Sequence, residues 1–242
     1  MNNNLNLLLK NISTLLIIIS FNVLFSQSNT DQFTVVIDAG HGGKDPGNRG
    51  NGYYEKDISL KVALLVGDIL NKSNLKIVYT RKTDKFITLN KRADIANKYQ
   101  ADLFVSIHCD SHTSNAFGAG TFVLGLHANE RNFRIAQKEN SVIYLEDDYN
   151  QKYEGFDPDN PESVISLVLM QEDYLDQSIL IASMIQNNFV QKLNRKNRTV
   201  KQAGFLVLRN TYMPSVLVEL GFLTNKKEGA YLNSKKGQIE MS

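Results

Sequence analysis

Three short runs rich in β-branched residues, Phe33 to Ala39, Leu75 to Thr80 and Leu103 to His108, alternate with stretches whose apolar residues recur at helical spacing. That alternation constrains the fold more than any other feature of the chain. A run such as FTVVIDA is apolar almost throughout, the signature of a strand buried on both faces. Strands of this kind separated by helices form a mostly parallel sheet with helices packed on either side. From Glu55 onward Ile58, Val62, Leu65, Val66 and Ile69 fall on one helical face, and Leu89 to Lys98 reads as a second helix. Gly120 to Leu126, Ala203 to Leu208 and Ser215 to Leu220 read as further strands, and Leu180 to Leu193 as a long helix. The expectation is one α/β domain with a twisted, mostly parallel sheet of about six strands. Asn225-Lys226-Lys227-Glu228 has the spacing of a capping box, so a short helix is expected from Asn225.

Open parallel sheets carry their sites at the carboxyl ends of strands, and polar residues at those ends stand out here. His41 leaves the first strand inside Gly40-His41-Gly42-Gly43, where the glycines accept backbone angles that other residues resist. His108 closes the strand LFVSIH, and Glu219 interrupts SVLVELG, a strand expected to be buried on both faces. Glu55 opens a helix. Each residue taken singly has an ordinary reading: a loop histidine, a hydrogen-bonded core histidine, and a carboxylate favoured by the helix dipole. Glu219 resists such a reading most, because a buried carboxylate requires a partner. Two imidazoles and a carboxylate are also the ligand set of a catalytic zinc site that keeps a fourth position for water.

Hydrophobic residues make up 42% and charged residues 21% of the 242, a globular composition. A net charge of +2 gives no reason to expect a nucleic-acid partner. The near-balance conceals a split: Glu139 to Asp176 holds eleven acidic residues against the single basic Lys152, so the rest of the chain is strongly basic. At the N-terminus, Lys10 precedes an uncharged run from Ile12 to Phe25 that is shorter than the roughly 20 residues needed to span a bilayer. With Ser26 behind it, this reads as a signal peptide over residues 1–26, directing export to the periplasm or cell envelope. The single Cys109 excludes an intrachain disulfide, and a monomer is expected.

Five segments in order, IDAGHGGKDPG, YEKD, TRKTD, SIHCDSH and VLVELGFLTN, resemble the zinc-dependent N-acetylmuramoyl-L-alanine amidases that cut bacterial cell wall. The resemblance assigns the amidase domain to residues 32–242. It implies one zinc ion held by His41, Glu55 and His108, with Glu219 as general base. The implied reaction is hydrolysis of the amide between N-acetylmuramic acid and L-alanine of peptidoglycan. Arg81 and Arg209 are candidates for contacts with substrate carboxylates. The chain departs from the family where Asp110 replaces a common Asn, and its closing helix, ending at Ser242, is shorter than usual. His112 and His127 are read as non-ligands.

Related cell-division amidases carry an insert where residues 127–173 stand, and there it can block the zinc until an activator protein displaces it. The acidic, partly helical segment here fits that position, with Glu139 or Glu146 as the blocking carboxylate. A solvated acidic loop is the competing reading. For the whole chain the rivals are a zinc peptidase cutting within the stem peptide and a non-catalytic peptidoglycan-binding domain. Retention of Glu219 speaks against the latter, since binding alone needs no base.

Overall fold

Residues 32–126, 129–164 and 172–242 are described in the computed structural model; the proposed signal peptide, His127 and part of the acidic insert lie outside the described residues. Strand β1 (Thr34–Ala39) is buried along its length and leads into a two-stranded hairpin, β2 (Arg49–Gly50) and β3 (Tyr53–Tyr54). Asn51 and Gly52 at its tip both take positive φ, as a tight Asn-Gly turn requires. The hairpin delivers the chain to helix α1 (Glu55–Leu70), followed by β4 (Lys76–Tyr79), α2 (Leu89–Lys98) and β5 (Leu103–Asp110). Then come β6 (Ala119–Leu124), α3 (Glu130–Asn140), the single turn α4 (Tyr149–Lys152) and α5 (Leu175–Gln191). The chain continues through β7 (Asn197–Ala203), the turn α6 (Leu206–Arg209), β8 (Ser215–Phe222), α7 (Lys226–Asn233) and α8 (Lys235–Met241).

The six long strands form one sheet in the order β4-β1-β5-β8-β6-β7. All neighbours run parallel except β6 and β8, which are antiparallel. The expected mostly parallel six-stranded sheet is therefore present. Val35 and Ile37 of β1 pack with α1, α5, α7 and α8 on one face, while Val36 joins a cluster with α2, α3 and α6 on the other. This alternation within a single strand is why the run is apolar throughout. The buried face of α1 centres on Ile58, Val62 and Ala63, whereas Ile69, expected on it, is exposed.

Two local expectations are corrected. The apolar run from Ala203 to Leu208 is not a strand: β7 precedes it, and Leu206–Arg209 makes a helical turn whose Leu206, Val207 and Leu208 are buried. As the sheet's edge, β7 is half exposed and reads NRTVKQA, with little apolar signal. Helix α7 does begin at Asn225, whose side chain accepts from the Lys227 and Glu228 amides. Glu228 does not close the reciprocal box; it accepts from the Gly118 and Phe222 amides and pairs with Arg195.

Candidate metal centre

The C-terminal ends of β1 and β5 and the start of α1 meet at one point. There His41, Glu55 and His108 are joined by Glu139 of α3, all four buried and each offering one ligand atom within 4.8 Å of the others. His41 Nε2 lies 3.1 Å from Glu55 Oε1 and 3.0 Å from Glu139 Oε2. His108 Nδ1 lies 3.0 Å and 3.1 Å from the same two oxygens. Nitrogen and oxygen thus alternate around a closed ring. His41 Nε2 and Glu139 Oε2 are buried without a hydrogen-bond partner among the described residues. Unsatisfied buried atoms are costly, and edges of this length suit four atoms each about 2.0–2.2 Å from a shared cation. The donor set fits a metal ion.

Each strand-side residue is held by other bonds. His41 has φ +60, an uncommon left-handed conformation for a non-glycine residue, and its Nδ1 meets Asp45 Oδ2 at 2.7 Å. Glu55 accepts from the Cys109 amide on Oε1 and the Asn48 amide on Oε2, each at 2.7 Å. His108 Nε2 donates to Ser106 Oγ at 3.0 Å, and that hydroxyl donates to Asp38 Oδ2 at 2.6 Å. Asp38 is fixed by Arg92 and Thr80. Such outer bonds set the tautomer and direction of a metal-binding imidazole. Gly40 must be a glycine, because a Cβ there would stand 2.5 Å from the His108 ring.

The charges are balanced locally. Burial works against both imidazolium ions, yet Glu55 and Glu139 raise His41 well above the ordinary histidine value, and the same carboxylates bring His108 up to about 9. Burial also opposes ionisation of Glu55, but His41 and His108 hold its carboxyl well below the usual range. Glu219 behaves in the opposite way. Burial, reinforced by Asp110, Glu139 and Glu55, drives its pKa well above the ordinary value, and neither oxygen has a hydrogen-bond partner among the described residues. Glu219 is the register partner of His108 across β5 and β8, so the two side chains share a face of the sheet, one strand apart.

The other sequence candidates separate clearly. Glu146 is buried but accepts from the Tyr153 hydroxyl at 2.8 Å and is not among the four converging residues. Arg81 does not present itself to a substrate: its buried guanidinium donates to the carbonyls of Ala39, Gly40, Lys56 and Thr83, bracing the His41 loop. Arg209 pairs with Glu154 of the acidic insert at 2.9 Å. His112 bonds to Ser114 and lies outside the converging group, and Cys109 is buried with its thiol pKa pushed well up by burial. Asp45, Asn48, Ser106 and Asp38 were not anticipated. Asp45 carried a usable signal, a carboxylate four residues after a candidate ligand histidine.

Residues 35–242 match the family model described as N-acetylmuramoyl-L-alanine amidase. The chain belongs to this amidase family. Its reaction is accordingly the hydrolysis of a peptidoglycan amide. The chain is 36% identical to AmiA of Escherichia coli K12, a match covering 83% of this chain and 69% of that protein. The N-acetylmuramoyl-L-alanine amidase of Clostridium difficile 630 has a similar structure, with TM-score 0.65 and 26% identity over 88% of this chain and 91% of that one. AmiC2 of Nostoc punctiforme gives TM-score 0.63 and 28% identity over 86% and 90%.

The segment that contributes Glu139 is not a solvated loop. Ala136, Val142, Ile143, Tyr153 and Phe156 are buried in the same cluster as Phe104, Phe205 and Leu206. Asn140 clamps the end of α3, donating to the Gly204 carbonyl and accepting from the Leu206 amide. The cavity bordered by His41, His108 and Glu139 measures about 10 Å³, room for about one water.

Proposed function

We propose that this amidase is an exported zinc enzyme whose closed form is held by its own insert. The observation that supports this most is the ring of His41, Glu55, His108 and Glu139 atoms, with Glu139 filling the position a catalytic site reserves for water. In this reading the first three residues hold the ion permanently and Glu139 leaves with α3. Zinc, when bound, lowers the pKa of water toward about 7 and polarises a carbonyl. Glu219 then takes a proton from the attacking water and returns it to the departing L-alanine amine. Asp45 and the Ser106–Asp38 pair keep the two imidazoles oriented throughout.

Displacing the insert exposes Ile143, Tyr153 and Phe156, each contributing about 1.5–3 kcal/mol by burial, so opening requires a partner surface that compensates. Export rests on the apolar run before Ser26. Among the described residues no helix is long and apolar enough to cross a membrane. Mass spectrometry of products from purified peptidoglycan tests the reaction. Free stem peptides beginning at L-alanine, lost on chelation and restored by zinc, are expected. Shorter peptides would instead identify a stem peptidase, and no product from any opened form would leave only a binding domain.

A further inference from the structure

On the face of the sheet that carries the metal centre, the residues run laterally from His108 on β5 to Glu219 on β8 and then to Gly120 on β6. Gly120 has no side chain to occupy its place in that row. The place is taken by Lys201 of β7, whose register partner is Phe122 and whose ammonium lies 4.8 Å over the Phe122 ring. A Cβ on Gly120 would stand 3.2 Å from Lys201 Nζ and 3.1 Å from Arg198 Cβ. The bare backbone at Gly120 therefore lets Lys201 lean along β6 toward the site end of the sheet. Lys201, Arg198, Glu219 and Asp110 line one small pocket, roofed by Arg131 and Ile135 of α3.

Neither Lys201 nor Arg198 has a carboxylate within 4 Å among the described residues. Arg198 gives its Nε to the Phe117 carbonyl and rests over Phe222. Burial, with Arg131 adding, lowers Lys201 to about 8 against the opposing pull of Glu219 and Asp110, so the ammonium is held with little solvent and no carboxylate within 4 Å among the described residues. A cation kept in that condition gains most from an arriving anion.

We propose that Lys201, supported by Arg198, binds a carboxylate of the leaving stem peptide and makes that carboxylate a determinant of substrate choice. This rests on the amidase reading above. The proton returned by Glu219 goes to the leaving amine, so the released peptide departs on the Glu219 side of the metal. Beyond Glu219 lie Gly120 and then the Lys201 ammonium. Two strand spacings separate β5 from β6, about 10 Å, the reach of the first two or three residues of an extended peptide. A carboxylate there meets Lys201 once α3 has lifted.

The test uses two muramoyl tripeptides that differ only in a free carboxylate or a carboxamide on the second stem residue. The zinc-loaded full chain is compared with Lys201→Met and Lys201→Arg, and each is repeated in a Glu139→Ala background so that closure does not hide the pocket. The expected result is an acid-over-amide preference of about 10- to 100-fold in kcat/KM, expressed in KM, lost in Lys201→Met and kept in Lys201→Arg. Equal use of both probes by the native residue overturns the proposal. So does a Lys201→Met variant that slows both probes equally, since Lys201 would then act on Glu219 and not on substrate. Calorimetric binding of the two free stem peptides separates this from the amidase reading. Cleavage of neither probe with Lys201-dependent preference for the acid peptide removes only the amidase reading. Absence of both cleavage and preferential binding removes both.

Discussion

The candidate metal centre is made by two parts of the chain that are held in different ways. His41 follows β1, Glu55 opens α1 and His108 stands on β5, and each is fixed by bonds to atoms outside the converging group: Asp45, the Asn48 and Cys109 amides, and the Ser106–Asp38 pair. Glu139 stands on α3, and apart from the imidazoles its carboxylate has, among the described residues, one hydrogen-bond partner, Asn48 Nδ2 at 3.4 Å. The strand-side trio is oriented by these surrounding bonds, while Glu139 is held chiefly by the two imidazoles and by the apolar side chains behind it. Preorganised ligands belong to catalysis, and a ligand lacking its own support is suited to leaving.

That contrast can be broken from either side. The largest effect is expected on the strand side, where His108→Ala should eliminate bound zinc in metal analysis and reduce hydrolysis to background. Glu219→Gln should cost about 10²–10⁴ in kcat while leaving zinc content unchanged, a separation that distinguishes base from ligand. Metal binding should also release protons. In the metal-free protein the His108 pKa is about 9, so below that pH an arriving dication displaces a proton. Zinc affinity should therefore rise with pH through the neutral range, and titrations in buffers of different ionisation enthalpy should count at least about one proton released near pH 7. Asp45→Asn should weaken zinc affinity by about 10- to 100-fold, because it loosens the tautomer and direction of His41 without removing a ligand. The smallest effect is expected on the insert's rim. Glu154→Ala removes an exposed carboxylate from Arg209 and should change stability by less than about 1 kcal/mol in a denaturant titration.

The same contrast explains what the sequence disclosed. His41, His108 and Glu219 were conspicuous because polar residues there interrupt buried strands or follow their ends, whereas Glu55, at the start of a helix, was singled out only by the family resemblance. Ser106 and Asp38 were not conspicuous, because they meet only once β1 and β5 are neighbours, whereas Asp45, four residues after His41, carried a local signal that went unused. Arg81 was misjudged for a related reason: charge is readable in a sequence, but four carbonyls converging on a guanidinium are not. The β7 error came from exposure. An edge strand shows polar residues, and the apolar run after it is buried by the segment that carries Glu139, not by sheet pairing. Glu139 and Glu146 were equivalent as acidic residues in one insert. The structure separates them by the position of α3, which points Glu139 at the imidazoles and leaves Glu146 to Tyr153.

In the proposed reading three residues hold the zinc and Glu139 closes the site. The most direct measurement compares native and Glu139→Ala proteins for zinc per chain and for stem peptides released from purified peptidoglycan. Minor open states commonly occupy about 0.1–10% of an ensemble, so removing the plug should raise release by about tenfold or more with one zinc retained. An unchanged or slower rate, or loss of zinc from the variant, would contradict the account and make Glu139 a permanent ligand or a bystander.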